Sequence, residues 1–257
     1  MGEAILSAIL DNELATPGEI TVSDIDGSRC QYLQQNYSVT TISDNRQVVA
    51  GADILLLAVK PQSLPEVLPG LKGKLEPDQL VISIIAGARI DYLSGELNHL
   101  CIVRAMPNTP AQIGKGITVW TATTAVTEEQ KGMAGSILGG MGKEIYVNDE
   151  KMIDMATAVS GSGPAYLFLY IESMVEAAVK IGLPGDIAQE LVLETVLGAG
   201  HLVEESGKEP AELRRMVTSP GGTTAEAIQK FEQGNFSELV AQAVRAAFEK
   251  AKSLGNS

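Results

Sequence analysis

The chain of 257 residues is 45% hydrophobic and 20% charged, the proportions of a globular protein long enough for two domains. Its formal net charge of −13, with no run of Lys and Arg to offset it, repels nucleic acid, which is excluded as a partner. Two cysteines and two histidines, none in ligand spacing, exclude a disulfide framework and a metal site; no stretch reaches the ~20 apolar residues of a membrane span.

In chain order, "MGEAILSAILDNELA" comes first, with Ile5, Ala8 and Ile9 at helical spacing. No basic segment precedes this run, so no signal peptide is expected and the chain is expected to be cytoplasmic. Up to residue 148, short apolar runs then alternate with helical stretches. "EITVS", "DILLLAV", "LVISIIA", "CIVRA", "GITVW" and "EIYV" are read as strands; "DGSRCQYLQQN" and "TEEQKGMAGSIL" are read as helices. Several runs are apolar at consecutive positions, which suits parallel strands covered on both faces. The rhythm predicts an α/β domain with a Rossmann-like, doubly wound parallel sheet over residues 1–148.

After Asn148 no strand pattern continues. Tyr166, Tyr170, Met174, Ala177 and Ile181 mark one face of a helix that starts near Pro164, a residue suited to a first turn. "GLPG" ends it. Ala188, Leu191, Val192, Val196, Ala199 and Val203 mark the next helix. Ala225, Ile228 and Phe231 mark a third after "SPGG", and Val240, Val244, Ala247 and Ala251 a fourth. Apolar faces this wide predict an all-α dimerisation domain over residues 149–257, buried in part against a second copy of the chain.

Ligands of open α/β sheets lie beyond the carboxyl ends of the strands. Asp24 follows "EITVS" about 20 residues beyond Gly2, the place of the acidic residue that bonds a ribose hydroxyl in dinucleotide folds. Asp24 and Asp26 favour NADH, whereas Ser23, Ser28 and Arg29 suit NADPH; equally, either aspartate caps the next helix. Lys60 in "KPQ" can meet a phosphate or stay solvated. Gly87 lets backbone approach a flat ring, and "MPNTP" frames Asn108 and Thr109 in a rigid polar turn.

Two further loops precede helices. "SGSGPAY" offers Ser160 and Ser162, and "TSPGGTT" offers Thr218, Ser219, Thr223 and Thr224. Free N–H groups at a helix start make a site for a substrate carboxylate, although Ser, Thr and Gly are also ordinary cap residues. Two histidines supply no evident nucleophile–base set. A nicotinamide reaction needs none, since the cofactor carries the chemistry.

These stretches together resemble the pyrroline-5-carboxylate reductase family. "ELRRMVTSPGGTTAEAIQKFE" at 212–232 is similar to the family signature, and "AVSGSGPAYLF", "LAVKPQ", "ISIIAGA" and "VRAMPNTPA" match in order and spacing. The resemblance spans essentially the whole chain. It implies hydride transfer from NADPH or NADH to the C=N carbon of pyrroline-5-carboxylate, giving L-proline in the last step of proline biosynthesis.

By resemblance Gly2, Ser23, Asn45, Val59, Lys60, Pro61, Ala86, Gly87 and Asn108 contact the cofactor. Glu150, Ser160, Ser162, Gly222, Thr223 and Thr224 hold the substrate. Thr224 is the catalytic candidate, its hydroxyl near the ring nitrogen, and Glu150 favours the protonated imine. The family also implies a homodimer with interleaved helices, or a higher homo-oligomer.

The same resemblance makes Gly2 the third glycine of a G-x-G-x-x-G fingerprint whose first two glycines, and the strand before them, are absent from the sequence. A domain lacking that central strand is expected to hold together poorly and to bind pyrophosphate weakly, so the sequence is expected to begin at an internal Met of a longer chain. Two rivals follow: a catalytically weak or inactive dimeric ligand-binding relic, and a reductase of another small cyclic imine or of a β-hydroxy acid. The last class places a catalytic lysine in its helical domain; Lys180 lies there, but no motif surrounds it.

Overall fold

The computed structural model describes residues 1–255. The chain divides into two compact units, one of residues 1–162 joined by the chain end from Ala247, the other Gly163–Ala246.

In the first unit, β1 (Thr21–Ser23) and β2 (Thr40–Ile42) form a parallel pair. β3 (Ile54–Leu57), β4 (Leu80–Ser83), β5 (Ile102–Met106), β6 (Gly116–Ala122) and β7 (Gly142–Tyr146) form a five-stranded sheet in that order. β3, β4 and β5 run parallel, β6 opposes β5, and β7 runs parallel to β6. The expected doubly wound α/β architecture is present, with one reversal. The link from Met106 to Gly116 holds only a 3-10 turn, Thr109–Ile113, too short for the crossover that a parallel neighbour needs.

The consecutive apolar residues of the strands serve two cores. Leu80 and Ile82 of β4 face one, with Val103, Trp120 and Leu138; Val81 faces the other, with Leu57, Leu68, Leu93 and Ile102. Helices α3 (Leu64–Leu71), α4 (Ile90–Leu97) and α5 (Glu128–Gly139) cover these faces. The two sheet pieces share no strand pairing. What joins them is α1 (Gly2–Asp11): Ile5 and Ala8 enter the core of the larger sheet, while Leu6 packs with Leu33 and Val39 beside the smaller.

A polar cluster ties α1 to α2 (Gly27–Tyr37). Glu3 pairs with Arg29, and its carboxylate also accepts the hydroxyls of Tyr37 at 2.8 Å and Tyr32 at 3.2 Å. Arg29 holds the Glu3 carboxyl below its ordinary range, against a smaller opposing effect of burial, with Tyr37 and Tyr32 adding to the lowering. A depressed native pKa adds stability above the unfolded value of about 4.3 and loses it as pH falls through the native value. Glu3→Gln should therefore melt lower than wild type near pH 7. Melting curves from pH 7 to pH 3 should converge at the acid end; curves that stay parallel would contradict this.

The second unit is helical: α7 (Gly163–Lys180), α8 (Gly185–Ser206), α9 (Pro210–Met216), α10 (Thr223–Gln233) and the first part of α11 (Phe236–Leu254). Within it Ala188 and Val192 are buried, whereas Phe168, Leu169, Leu197, Leu202, Phe231 and Leu239 are exposed. Among the described residues no helix is long and apolar enough to cross a membrane.

Candidate active site

Strands β1 to β5 of the first unit each run into a short turn, a row of five in chain order. Ser23 closes β1. Asn45 begins a 3-10 turn after β2, which Asp44 caps through Arg46 N–H at 3.0 Å. Val59 and Lys60 follow β3, with Pro61 as the first residue of the next turn. Ala86 and Gly87 follow β4, and Asn108 follows β5. Gly2 starts α1 against this row: a Cβ on Gly2 would lie 3.2 Å from that of Ala58, next after β3. Gly2, Ser23, Asn45, Val59, Lys60, Pro61, Ala86, Gly87 and Asn108 thus all lie on the same unit, in or after these strands or at the start of α1.

Their chemistry is uneven. α1 begins with no side-chain cap, so the N–H groups of its first turn point outward unclaimed by a side chain. Ser23 Oγ is buried without a protein partner. Lys60 is exposed. Asn108 Oδ1 accepts the N–H of Ile117 at 2.9 Å, which pins the turn between β5 and β6 and leaves the amide NH2 as the side chain's donor. Gly87 has φ +78°, and an added Cβ would come within 2.8 Å of Leu254 Cβ, so the end of α11 lies directly on this loop.

The acidic loop after β1 resolves into local roles. Asp26 accepts the N–H groups of Ser28 at 2.9 Å and Arg29 at 3.4 Å, capping α2, and Asp24 accepts the N–H of Asp26 at 2.9 Å. Arg29 is occupied by Glu3.

Beyond β7, Glu150 precedes α6 (Lys151–Ala156), which runs into a π turn at Thr157–Gly161. The turn is held from within: Ser160 Oγ donates to Ala156 O at 3.0 Å, and Ser162 N donates to Thr157 O at 2.8 Å. Such turns inside helical segments recur at functional sites. Its Gly161 sits against Met106 at the end of β5, so that a Cβ there would meet Met106 Cε at 3.0 Å. The structure therefore brings Ser160 and Ser162 onto the unit that carries the strand-end row.

Glu150 Oε1 accepts from Arg104 Nη1 at 2.8 Å and from the N–H of Ile90 at 2.8 Å; Asp154 Oδ1 takes Arg104 Nη2 at 2.7 Å. Sequence reasoning missed Arg104 and Asp154. The signal was present: an arginine inside the apolar run "CIVRA", and two carboxylates four residues apart on one helix face.

The second unit carries the remaining candidates. Gly222 precedes α10, whose first residues are Thr223 and Thr224. The turn is closed by Gly222 N–H to Ser219 O at 3.0 Å. No side chain caps α10, so its leading N–H groups are available to an anion; Thr223 is exposed and Thr224 half-buried.

Comparison with known proteins places this arrangement. Residues 150–254 match the family model described as pyrroline-5-carboxylate reductase dimerisation, and residues 1–87 match that described as NADP oxidoreductase, coenzyme F420-dependent. A pyrroline-5-carboxylate reductase of Synechocystis is 41% identical over 255 residues, 99% of this chain and 95% of its own length. Among solved structures, a pyrroline-5-carboxylate reductase from Coxiella burnetii is 39% identical with a TM-score of 0.89, covering 98% of this chain and 94% of that one. The Plasmodium falciparum pyrroline carboxylate reductase with NADP bound is 32% identical with a TM-score of 0.90, covering 99% and 94%. With this identity sustained across nearly its whole length, the chain belongs to the pyrroline-5-carboxylate reductase family.

Proposed function

We propose that the chain reduces L-1-pyrroline-5-carboxylate to L-proline with NADPH or NADH, as the last step of proline biosynthesis in the cytoplasm. The observation that carries this is the near full-length likeness to a reductase of the same name, at 41% identity across both units. The other rivals, a β-hydroxy acid reductase among them, have no comparable support.

The residues fit the dinucleotide. The unclaimed N–H groups at the start of α1 suit a pyrophosphate, and the unpartnered Ser23 Oγ suits a ribose or its phosphate. Gly2, Asn45, Val59, Lys60, Pro61, Ala86, Gly87 and Asn108 are proposed to hold the rest, with residues 1–148 acting as the NAD(P)-binding domain. When bound, the nicotinamide supplies the hydride.

Residues 149–257 are proposed as the substrate and dimerisation domain. The leading N–H groups of α10, at Thr223 and Thr224, would hold the substrate carboxylate; Gly222, Ser160 and Ser162 are further proposed substrate-binding residues. The net charge of −13 repels an anionic substrate, so binding relies on such local donors. Thr224 would place its hydroxyl at the ring nitrogen, to donate or relay the proton that solvent restores. Glu150 would favour the protonated imine, the better hydride acceptor. The exposed Phe168, Leu169, Leu197, Phe231 and Leu239 of a unit with so small a buried core support a homodimer that covers them.

Initial rates of NADPH oxidation with pyrroline-5-carboxylate, set against its six-membered homologue, test the assignment. A kcat/KM at least tenfold higher for the five-membered ring is expected. Preference for the larger ring would reassign the substrate, and no turnover of either would return the chain to the ligand-binding alternative.

A further inference from the structure

Arg104 is 98% buried in the middle of β5, flanked in register by Ser83 of β4 and Thr121 of β6, both also buried. A charge in that position is costly unless fully engaged. Its guanidinium fork splits between two carboxylates on successive turns, Nη1 to Glu150 at 2.8 Å and Nη2 to Asp154 at 2.7 Å. Nε has no protein partner. The arginine is thus spent on joining elements, at the expense of leaving its Nε–H unpaired.

The elements it joins are informative. Glu150 Oε1 also accepts the N–H of Ile90, the first residue of α4, a helix that has no side-chain cap of its own. This carboxylate from 60 positions away fixes the end of the loop that contains Ala86 and Gly87. Arg104 itself lies on the strand that runs into Asn108. Asp154 lies on the helix that continues into the π turn of Ser160 and Ser162, where Gly161 rests on Met106. One buried ion cluster therefore holds the cofactor-side turns after β4 and β5 in a set relation to the serine turn.

We infer that Arg104, with Asp154, is a positioning residue for hydride transfer: it sets the distance between the loops that seat the nicotinamide and the serines that meet the substrate. The inference rests on the reductase function above. A planar fork bridging two carboxylates is something lysine, a point charge, cannot reproduce. Displacement of reacting groups by about 1 Å is enough to slow a transfer step of the order of a hundredfold.

The test compares wild type, Arg104→Lys and Asp154→Asn at 25 °C, measuring melting temperature, NADPH affinity by fluorescence, kcat, KM and the isotope effect with NADPH deuterated at nicotinamide C4. The expected result in each variant is a kcat at least tenfold lower, an NADPH affinity within threefold of wild type, and an isotope effect that rises as the transfer becomes rate-limiting. A lower melting temperature with kcat and isotope effect unchanged would make the cluster merely structural and overturn the inference. Asp154→Asn keeps the side chain's shape, so it decides the matter should Arg104→Lys fail to fold. A wild type that turns over no pyrroline-5-carboxylate overturns the function, and the inference with it; an active wild type with unaffected variants overturns the inference alone.

Discussion

Gly142→Ala should be the most destabilising single methyl that the first unit can receive. Gly142 opens β7 opposite Gly116 of β6, with φ +134°, a region closed to residues with a Cβ. An added Cβ would stand 2.2 Å from Gly116 O and 2.7 Å from Gly116 N. Gly116 is itself closely packed, since a Cβ built on it would lie 2.8 Å from Ala111 Cα. Backbone strain and a backbone clash together place the cost at about 3 kcal/mol or more, a large part of the ~5–15 kcal/mol that holds a domain folded. A fall in melting temperature of about 10 °C, or loss of soluble protein, is expected. Gly132→Ala is the control. Gly132 lies inside α5 with nothing within 4 Å of its Cβ position, so alanine should raise stability by roughly 0.5–1 kcal/mol. Equal melting temperatures for the two variants would contradict the account.

Thr224→Val should have the largest effect on chemistry. Valine matches threonine in shape and exchanges only the hydroxyl for a methyl. Thr224 is the second residue of α10, half-buried, in the turn proposed for the substrate carboxylate. If its hydroxyl donates or relays the proton that turns the imine into the protonated hydride acceptor, its loss should lower kcat about a hundredfold. Fold and NADPH affinity should be unchanged. Thr224→Ser, which keeps the hydroxyl, should retain most of the activity. A Thr224→Val enzyme with wild-type kcat would remove Thr224 from the proton path.

The strands and long helices were legible because their apolar spacing is local. Ile54–Leu57 and the run Leu80, Val81 and Ile82 are apolar at consecutive positions, and α7, α8, α10 and α11 carry their apolar residues at helical intervals. β2 was not legible: three residues, Thr40–Ile42, make too short a run to stand out. Nor was α9, whose seven residues include the charged pair Arg214 and Arg215 just before its last residue, Met216. The antiparallel setting of β6 follows from loop length, which shows only once both strand ends are known.

The candidate site was legible in parts. Strand ends and helix starts could be marked, since Gly, Pro, Ser and Thr punctuate them. The contacts across the site could not be marked, because the partners are remote in sequence. Glu150 reaches back to Ile90 and Arg104, and Leu254 reaches Gly87. The loop after β1 shows the opposite case. There Asp26 acts as the helix cap that competed with a ribose role from the start, since that bond is to its own near neighbours.

The measurement that tests the central claim most directly traces the hydride. NADPH deuterated at nicotinamide C4, on the face the enzyme uses, is incubated with the protein and pyrroline-5-carboxylate, and the product is examined by mass spectrometry and NMR. L-proline is expected to form in step with NADPH consumed, carrying a single deuterium at C5, the former imine carbon. Cofactor consumption without labelled proline, or no consumption by folded protein, would contradict it.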